Sequence, residues 1–161
     1  MGVEIERKFL VQRLPEEAAT AEREAIQQGY LAIEPKGQEV RLRQQGERYT
    51  LTCKSSGTLT RCEYEIELSA AQFQTLWPTT EGRQLRKERL HLLRADYKID
   101  LDCYEQPLNG LLLAEVEFSS EAAARAFEPE PWMGQEVTAL NLTQNRQLLD
   151  LPDVEALKAL L

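Results

Sequence analysis

Histidine occurs once in the 161 residues, and cysteine three times, at Cys53, Cys62 and Cys103, with no C-x-x-C pair. That scarcity argues against a His/Cys zinc centre and against a disulfide framework. The cysteines fall in predicted strands and read as small apolar residues of a reduced, cytoplasmic protein. No apolar run approaches the length of a membrane span, and none follows a basic start, so neither a membrane segment nor a targeting peptide is expected. Cations are in the minority: 19 Lys and Arg against 27 Asp and Glu give a net charge of −8. Broad nucleic-acid binding needs a basic surface and is disfavoured, whereas a small polyanionic ligand is not, because the cations are clustered. Aromatic residues make up 7%, and no cage that would hold a base is visible. There is no repeat, low-complexity tract or splitting linker, which leaves one domain over residues 1–161.

What the chain does contain is charge at every second position. Glu4-Ile5-Glu6-Arg7-Lys8 opens it, and in a strand this spacing sends Glu4, Glu6 and Lys8 to one face. Two adjacent carboxylates repel, so a cation must stand between them, either the lysine or a metal ion. The pattern returns in Val40-Arg41-Leu42-Arg43, Leu51-Thr52-Cys53-Lys54, Arg61 to Glu67, Lys87-Glu88-Arg89, Asp100-Leu101-Asp102 and Glu115-Val116-Glu117.

Strands are expected at about 3–12, 25–34, 38–46, 48–55, 59–68, 84–94, 96–104 and 111–119. Turn chemistry at Glu34-Pro35-Lys36-Gly37, Gln45-Gly46-Glu47 and Ser55-Ser56-Gly57 makes neighbours antiparallel hairpins. Helical periodicity appears in Ser69–Leu76, Ser120–Phe127 and Asn141–Leu149, and a leucine-rich amphipathic tail, Asp153–Leu161, packs on the body. The charged face carries cations (Lys8, Arg41, Arg43, Lys54, Arg61, Lys87, Arg89) balanced by anions (Glu4, Glu6, Glu63, Glu65, Asp102, Glu115, Glu117). Tyr64, Ile66, Leu101, Val116 and Phe118 occupy the opposite face, expected to lie buried under the helices. The fold class is therefore α+β: an eight-stranded antiparallel closed β-barrel with its charged face inward and helices outside. So many charges in one lumen are tolerable only when paired or solvated.

Together, Glu4-x-Glu6-x-Lys8, Arg41-x-Arg43, Lys54, Arg61-x-Glu63-x-Glu65, Lys87-x-Arg89, Asp102 and Glu115-x-Glu117 resemble the CYTH superfamily, the triphosphate tunnel metalloenzymes. The short length, with Gln28-Gly29-Tyr30-Leu31 before the basic strand, is similar to the compact bacterial members that hydrolyse inorganic tripolyphosphate. The resemblance implies a tunnel that binds a triphosphate with a divalent metal, closed by a C-terminal plug helix. It also implies that Lys8 and Tyr30 form the catalytic pair. In the plug segment Leu142-Thr143-Gln144-Asn145-Arg146, Thr143 and Gln144 stand where the family carries an aromatic and a basic residue.

The chemistry follows from the residue types. Arg41, Arg43 and Arg89 offer forked hydrogen bonds to phosphate, and Lys54, Lys87 and Arg61 add charge. Glu4, Glu6, Asp102, Glu115 and Glu117 are hard oxygen ligands suited to Mg2+ or Mn2+, while Glu63 and Glu65 take a second ion or orient water. A lysine among cations has its pKa lowered, so Lys8 is expected to act as a base toward water with Tyr30 steering it. His91 continues the Lys87-x-Arg89 face and is expected to be exposed. Hydrolysis of tripolyphosphate to pyrophosphate and phosphate is the leading expectation. A triphosphate-binding protein without turnover, a class IV-type adenylyl cyclase and a thiamine triphosphatase stay open.

Overall fold

A computed structural model describes residues 2–34, 38–56, 59–139 and 148–159. Alternating sequence dictates its architecture. The strands β1 (Gly2–Val11), β2 (Glu22–Ile33), β3 (Glu39–Gln45), β4 (Arg48–Lys54), β5 (Thr60–Leu68), β6 (Gln84–Leu93), β7 (Lys98–Tyr104) and β8 (Leu112–Glu117) pair antiparallel in the order β5-β4-β3-β2-β6-β7-β8-β1. Pairing of β1 with β5 closes the barrel, with Gly2 opposite Glu63 and Ile5 opposite Thr60. A ninth strand, β9 (Met133–Glu136), which period-two reading does not reveal, pairs with the second half of β1 at Phe9 and Val11. One edge of β1 is thus shared between β5 and β9, while its other edge pairs with β8 from Glu6 to Leu10.

The outer face carries the larger core. Phe9, Leu90, Leu92, Ile99, Leu101, Val116 and Phe118 point out of the barrel and pack with Ala124 of the helix α2 (Glu121–Ala126). Ser120 caps that helix through its hydroxyl, and Arg7 bonds the carbonyls of Ala124 and Phe127, both at 2.9 Å. The helix α1 (Ala70–Leu76) opens with a capping box between Ser69 and Gln72, as the serine signal leads one to expect. It does not reach the far end of β5: Tyr64 and Ile66 are more than half exposed, so their expected burial under the helices is corrected. The tail forms α3 (Val154–Lys158), capped by Asp153, with Leu157 buried against the body. The expected plug helix over 141–149 falls mostly outside the described residues. Among those described, no helix is long and apolar enough to cross a membrane.

The inner face changes character along its length. Leu10, Leu85, Tyr104 and Leu113 share the alternation of the charged residues, yet they belong to an apolar cluster with Leu108, Leu111, Val137, Leu148 and Leu157. Apolar packing therefore gives the lumen a floor, and the charges stand above it.

Gly29 marks the closest approach of the turn after α1 to β2. A Cβ there would come within 2.4 Å of Thr80 Oγ1, a buried hydroxyl that donates to the Trp77 carbonyl. Gly29→Ala is expected to cost about 1–3 kcal/mol by overpacking. Urea unfolding checks this, and adding Thr80→Ala should recover part of the loss.

Candidate active site

Inward-facing side chains surround a cavity of about 360 Å³ lined by eight cations, eight carboxylates, His91 and Gln45. Glu4, Glu6, Lys8, Arg41, Arg43, Lys54, Arg61, Glu63, Glu65, Arg89, Glu115 and Glu117, expected from alternation, all meet there. Three expected residues do not line it. Tyr30, Lys87 and Asp102 are almost wholly buried, outside the lining set.

Cross-strand register sets the pairing. Lys8 lies opposite Glu115, and its ammonium is 2.6 Å from Glu115 Oε1 and 2.9 Å from Glu6 Oε1. Lys54, opposite Glu63, sits 2.7 Å from that carboxylate and 2.6 Å from Glu4. Arg89 reaches Asp102, Asp100 and Glu115, each at 2.7 Å. Asp102 also pairs with Lys87, so both its oxygens are taken by cations. Asp102, expected among the metal ligands, anchors Arg89 and Lys87 in this structure.

Electrostatics set the Lys8 pKa against the expected direction. Burial alone would lower its pKa, but attraction by Glu115 and Glu6 outweighs that and raises it above the ordinary lysine value. The lowered lysine is Lys87, brought to about 8 by burial, with Arg89 and Arg43 adding to it against Asp102. Glu115 is held well below the usual carboxylate range, because Lys8, Arg89 and Lys87 overcome its burial. Tyr30 is raised, first by burial and then by Glu39. Its hydroxyl accepts from Gln28 Nε2 at 3.1 Å, while the Lys8 ammonium bonds Glu115.

The β3 wall is different. Arg41 is buried and Arg43 partly so, and the Nε of each is a buried atom without a hydrogen-bond partner among the described residues. Arg43 is lowered to about 10 by burial and by the neighbouring Arg41 and Arg89. A buried guanidinium N–H without a partner costs about 1–3 kcal/mol, a cost that an entering anion removes.

Alternation places further residues on the same face. Glu39 precedes Arg41 by two, Arg48 shares the face of Thr52 and Lys54, and Lys98 and Asp100 precede Asp102 by four and two; all line the cavity except Thr52 and Asp102. The signal was present and only its extent was missed. His91 is not exposed as expected: its Nδ1 lies 2.9 Å from Asp100 and its Nε2 2.8 Å from Glu24.

Among the described residues, no three His, Cys, Asp or Glu side chains converge on a point that could hold a metal ion. The donor chemistry fits nonetheless. Glu4, Glu6, Glu63, Glu65, Glu115 and Glu117 present hard carboxylate oxygens to one cavity, with Lys8 and Lys54 bridging pairs of them.

Residues 2–140 match the model of the CYTH domain. An inorganic triphosphatase of Nitrosomonas europaea is 46% identical over 151 residues, covering 92% of this chain and 99% of that protein. The crystal structure of the inorganic triphosphatase NE1496 superposes with a TM-score of 0.69 at 43% identity, covering 92% of this chain and 95% of that one. A putative adenylyl cyclase from Hippeastrum, described as having a dominant triphosphatase activity, shares the fold at a TM-score of 0.55 and 14% identity. It covers 76% of this chain, and the match spans 82% of its own.

Proposed function

The chain belongs to the CYTH domain family, and on that premise we propose that it is a metal-dependent inorganic triphosphatase, splitting tripolyphosphate into pyrophosphate and phosphate. The observation that carries this reading is the pair of buried, unpartnered guanidinium nitrogens of Arg41 and Arg43 in a closed, charge-lined lumen. They await an anion, and the 46% identical triphosphatase supports a phosphoanhydride as that anion.

Arg41, Arg43 and Arg61 hold phosphate oxygens, with Arg89 and Lys54 contributing charge once the substrate competes for them. Lys87 acts from below through Asp102. Glu4, Glu6, Glu63, Glu65, Glu115 and Glu117 would hold the divalent ion, which we take to be Mg2+ or Mn2+. When bound, the ion supplies neutralisation of the phosphate oxygens. Phosphoryl transfer asks little covalent chemistry of a protein, so positioning and charge carry the catalysis. Lys8 takes part as an ammonium, neutralising charge that builds on the phosphate, and Glu63 and Glu65 orient the attacking water. Tyr30 contributes through Gln28 to Arg43. The three free thiols at Cys53, Cys62 and Cys103 support a reducing, cytoplasmic setting for this single domain.

The test is phosphate release from tripolyphosphate, pyrophosphate, ATP and thiamine triphosphate, with Mg2+, with Mn2+ and with no metal. Tripolyphosphate should be the best substrate and should need the ion. Cyclic AMP formed from ATP in place of phosphate would overturn the reading. Glu117→Gln keeps size and removes one hard donor, so it should raise the metal concentration for half-maximal rate by about tenfold or more. Unchanged metal dependence would make Glu117 a bystander.

A further inference from the structure

The lumen cations are not all held in the same way. Lys8, Lys54, Lys87 and Arg89 each pair with carboxylates, so their charge is largely cancelled before any ligand arrives. Arg43 is held by an amide. Gln28 lies directly opposite it in the β2–β3 register, and Gln28 Oε1 accepts from Arg43 Nη2 at 3.2 Å. The other end of the same amide donates to the Tyr30 hydroxyl. Gln28 is fully buried, and Tyr30 stands opposite Arg41, so β2 sets a polar side chain opposite each arginine of the β3 wall.

The amide orientation is fixed by chemistry. A guanidinium only donates, so the amide oxygen must face it and the NH2 must face the tyrosine oxygen. Glutamate would fit the same space and make a stronger hydrogen bond, but it would bring a negative charge against Arg43. Glutamine orients the guanidinium and leaves its charge uncancelled. Both the orientation and the charge matter to an anion that binds at Arg43.

We propose that Gln28 is a positioning residue of the phosphate-binding wall, which aims Arg43 without neutralising it and so reserves that cation for the substrate. The inference rests on the triphosphatase reading and deepens it. It divides the lumen into a wall of carboxylate-paired cations, on β1, β4 and β6, and the β3 wall, where Arg43 meets no carboxylate within ion-pair distance among the described residues. The substrate's phosphate docks on the second.

The test compares wild type, Gln28→Glu and Gln28→Met by KM and kcat for tripolyphosphate, and by calorimetric binding of tripolyphosphate without metal. Gln28→Met removes the brace and should raise KM a few-fold, about 3–10-fold. Gln28→Glu keeps the brace and cancels the charge, so KM and Kd should rise by about 30–100-fold, with kcat changed far less. In an Arg43→Ala background both substitutions should lose most of their effect, because Gln28 acts through Arg43. If Gln28→Glu does not fold, the Gln28→Met cycle with Arg43→Ala still decides the matter by its coupling. Binding by Gln28→Glu at wild-type strength, equal damage from Met and Glu, or full effects without Arg43 would each overturn the proposal. A wild type that neither binds nor hydrolyses tripolyphosphate would overturn the functional reading itself, a result visible before any variant is made.

Discussion

Replacing Arg41 and Arg43 together by alanine is expected to raise the KM for tripolyphosphate by about two to four orders of magnitude. Each guanidinium offers a charge-assisted contact of about 1.5–3 kcal/mol, and the two stand side by side on β3 with their Nε atoms buried and unpartnered. A substrate phosphate would remove that unsatisfied state, so the contact is made on binding and persists into the transition state. The loss should fall on KM more than on kcat. A second readout separates this from general damage. In the ligand-free protein Arg43 carries its charge at a cost, since its pKa is depressed by burial and by its arginine neighbours, whereas Arg41, despite its burial, is raised by Tyr30 and by Glu39, Glu63 and Glu4. Arg43→Ala alone should melt no lower than wild type, and tripolyphosphate should no longer raise the Tm of the double variant. An unchanged KM, or a large fall in ligand-free Tm, would make the two arginines part of the framework.

Lys8→Ala is the second large effect, and its signature is different. The ammonium bridges Glu6 and Glu115 within 3 Å of each, in a site where all three groups are nearly buried. Removing one partner of a buried ion pair costs about 3–5 kcal/mol, because the remaining charges are stranded. For a chain of this size that lowers Tm by roughly 6–20 °C. Excess divalent ion should restore part of that stability, since the two freed carboxylates are hard donors. Turnover should fall by about a hundredfold or more at saturating substrate, with KM changed less than tenfold, as expected for charge that acts on the developing transition state. Wild-type kcat in a destabilised Lys8→Ala protein would reduce Lys8 to a strut. The raised pKa of Lys8 carries a further consequence: activity should not titrate through a deprotonating Lys8 near neutral pH.

How the lumen divides its labour was only partly written in the sequence. Glu4, Glu6 and Lys8 share a face because successive strand residues point to opposite sides, a rule that needs no partner strand. The same rule placed Arg41 with Arg43, Arg61 with Glu63 and Glu65, and Glu115 with Glu117, and the balance of signs made closure of the barrel legible. It also covers Glu39 and Lys98, each two residues before a motif, and Asp100 within one. Residues 141–147, where the plug-helix expectation falls, lie outside the described part of the chain.

What alternation cannot give is depth and partner. Whether Lys87 and Asp102 line the cavity or lie beneath it depends on how far each strand is shifted along its neighbour. Only closure fixes that shift. Lys8 was expected among cations and stands between Glu6 and Glu115, because the β1–β8 register sets it opposite a glutamate. Tyr30 was expected at Lys8 and meets Gln28, its neighbour two residues back on the same strand face. The exposure of Tyr64 and Ile66 depends on which elements cover the outer face of β5, which the strand's own sequence does not record. Sequence determined which side chains enter the lumen, since that choice is local to each strand. Tertiary structure decided which of those charges cancel and which remain for a ligand, since cancellation is a property of residues brought together from different strands.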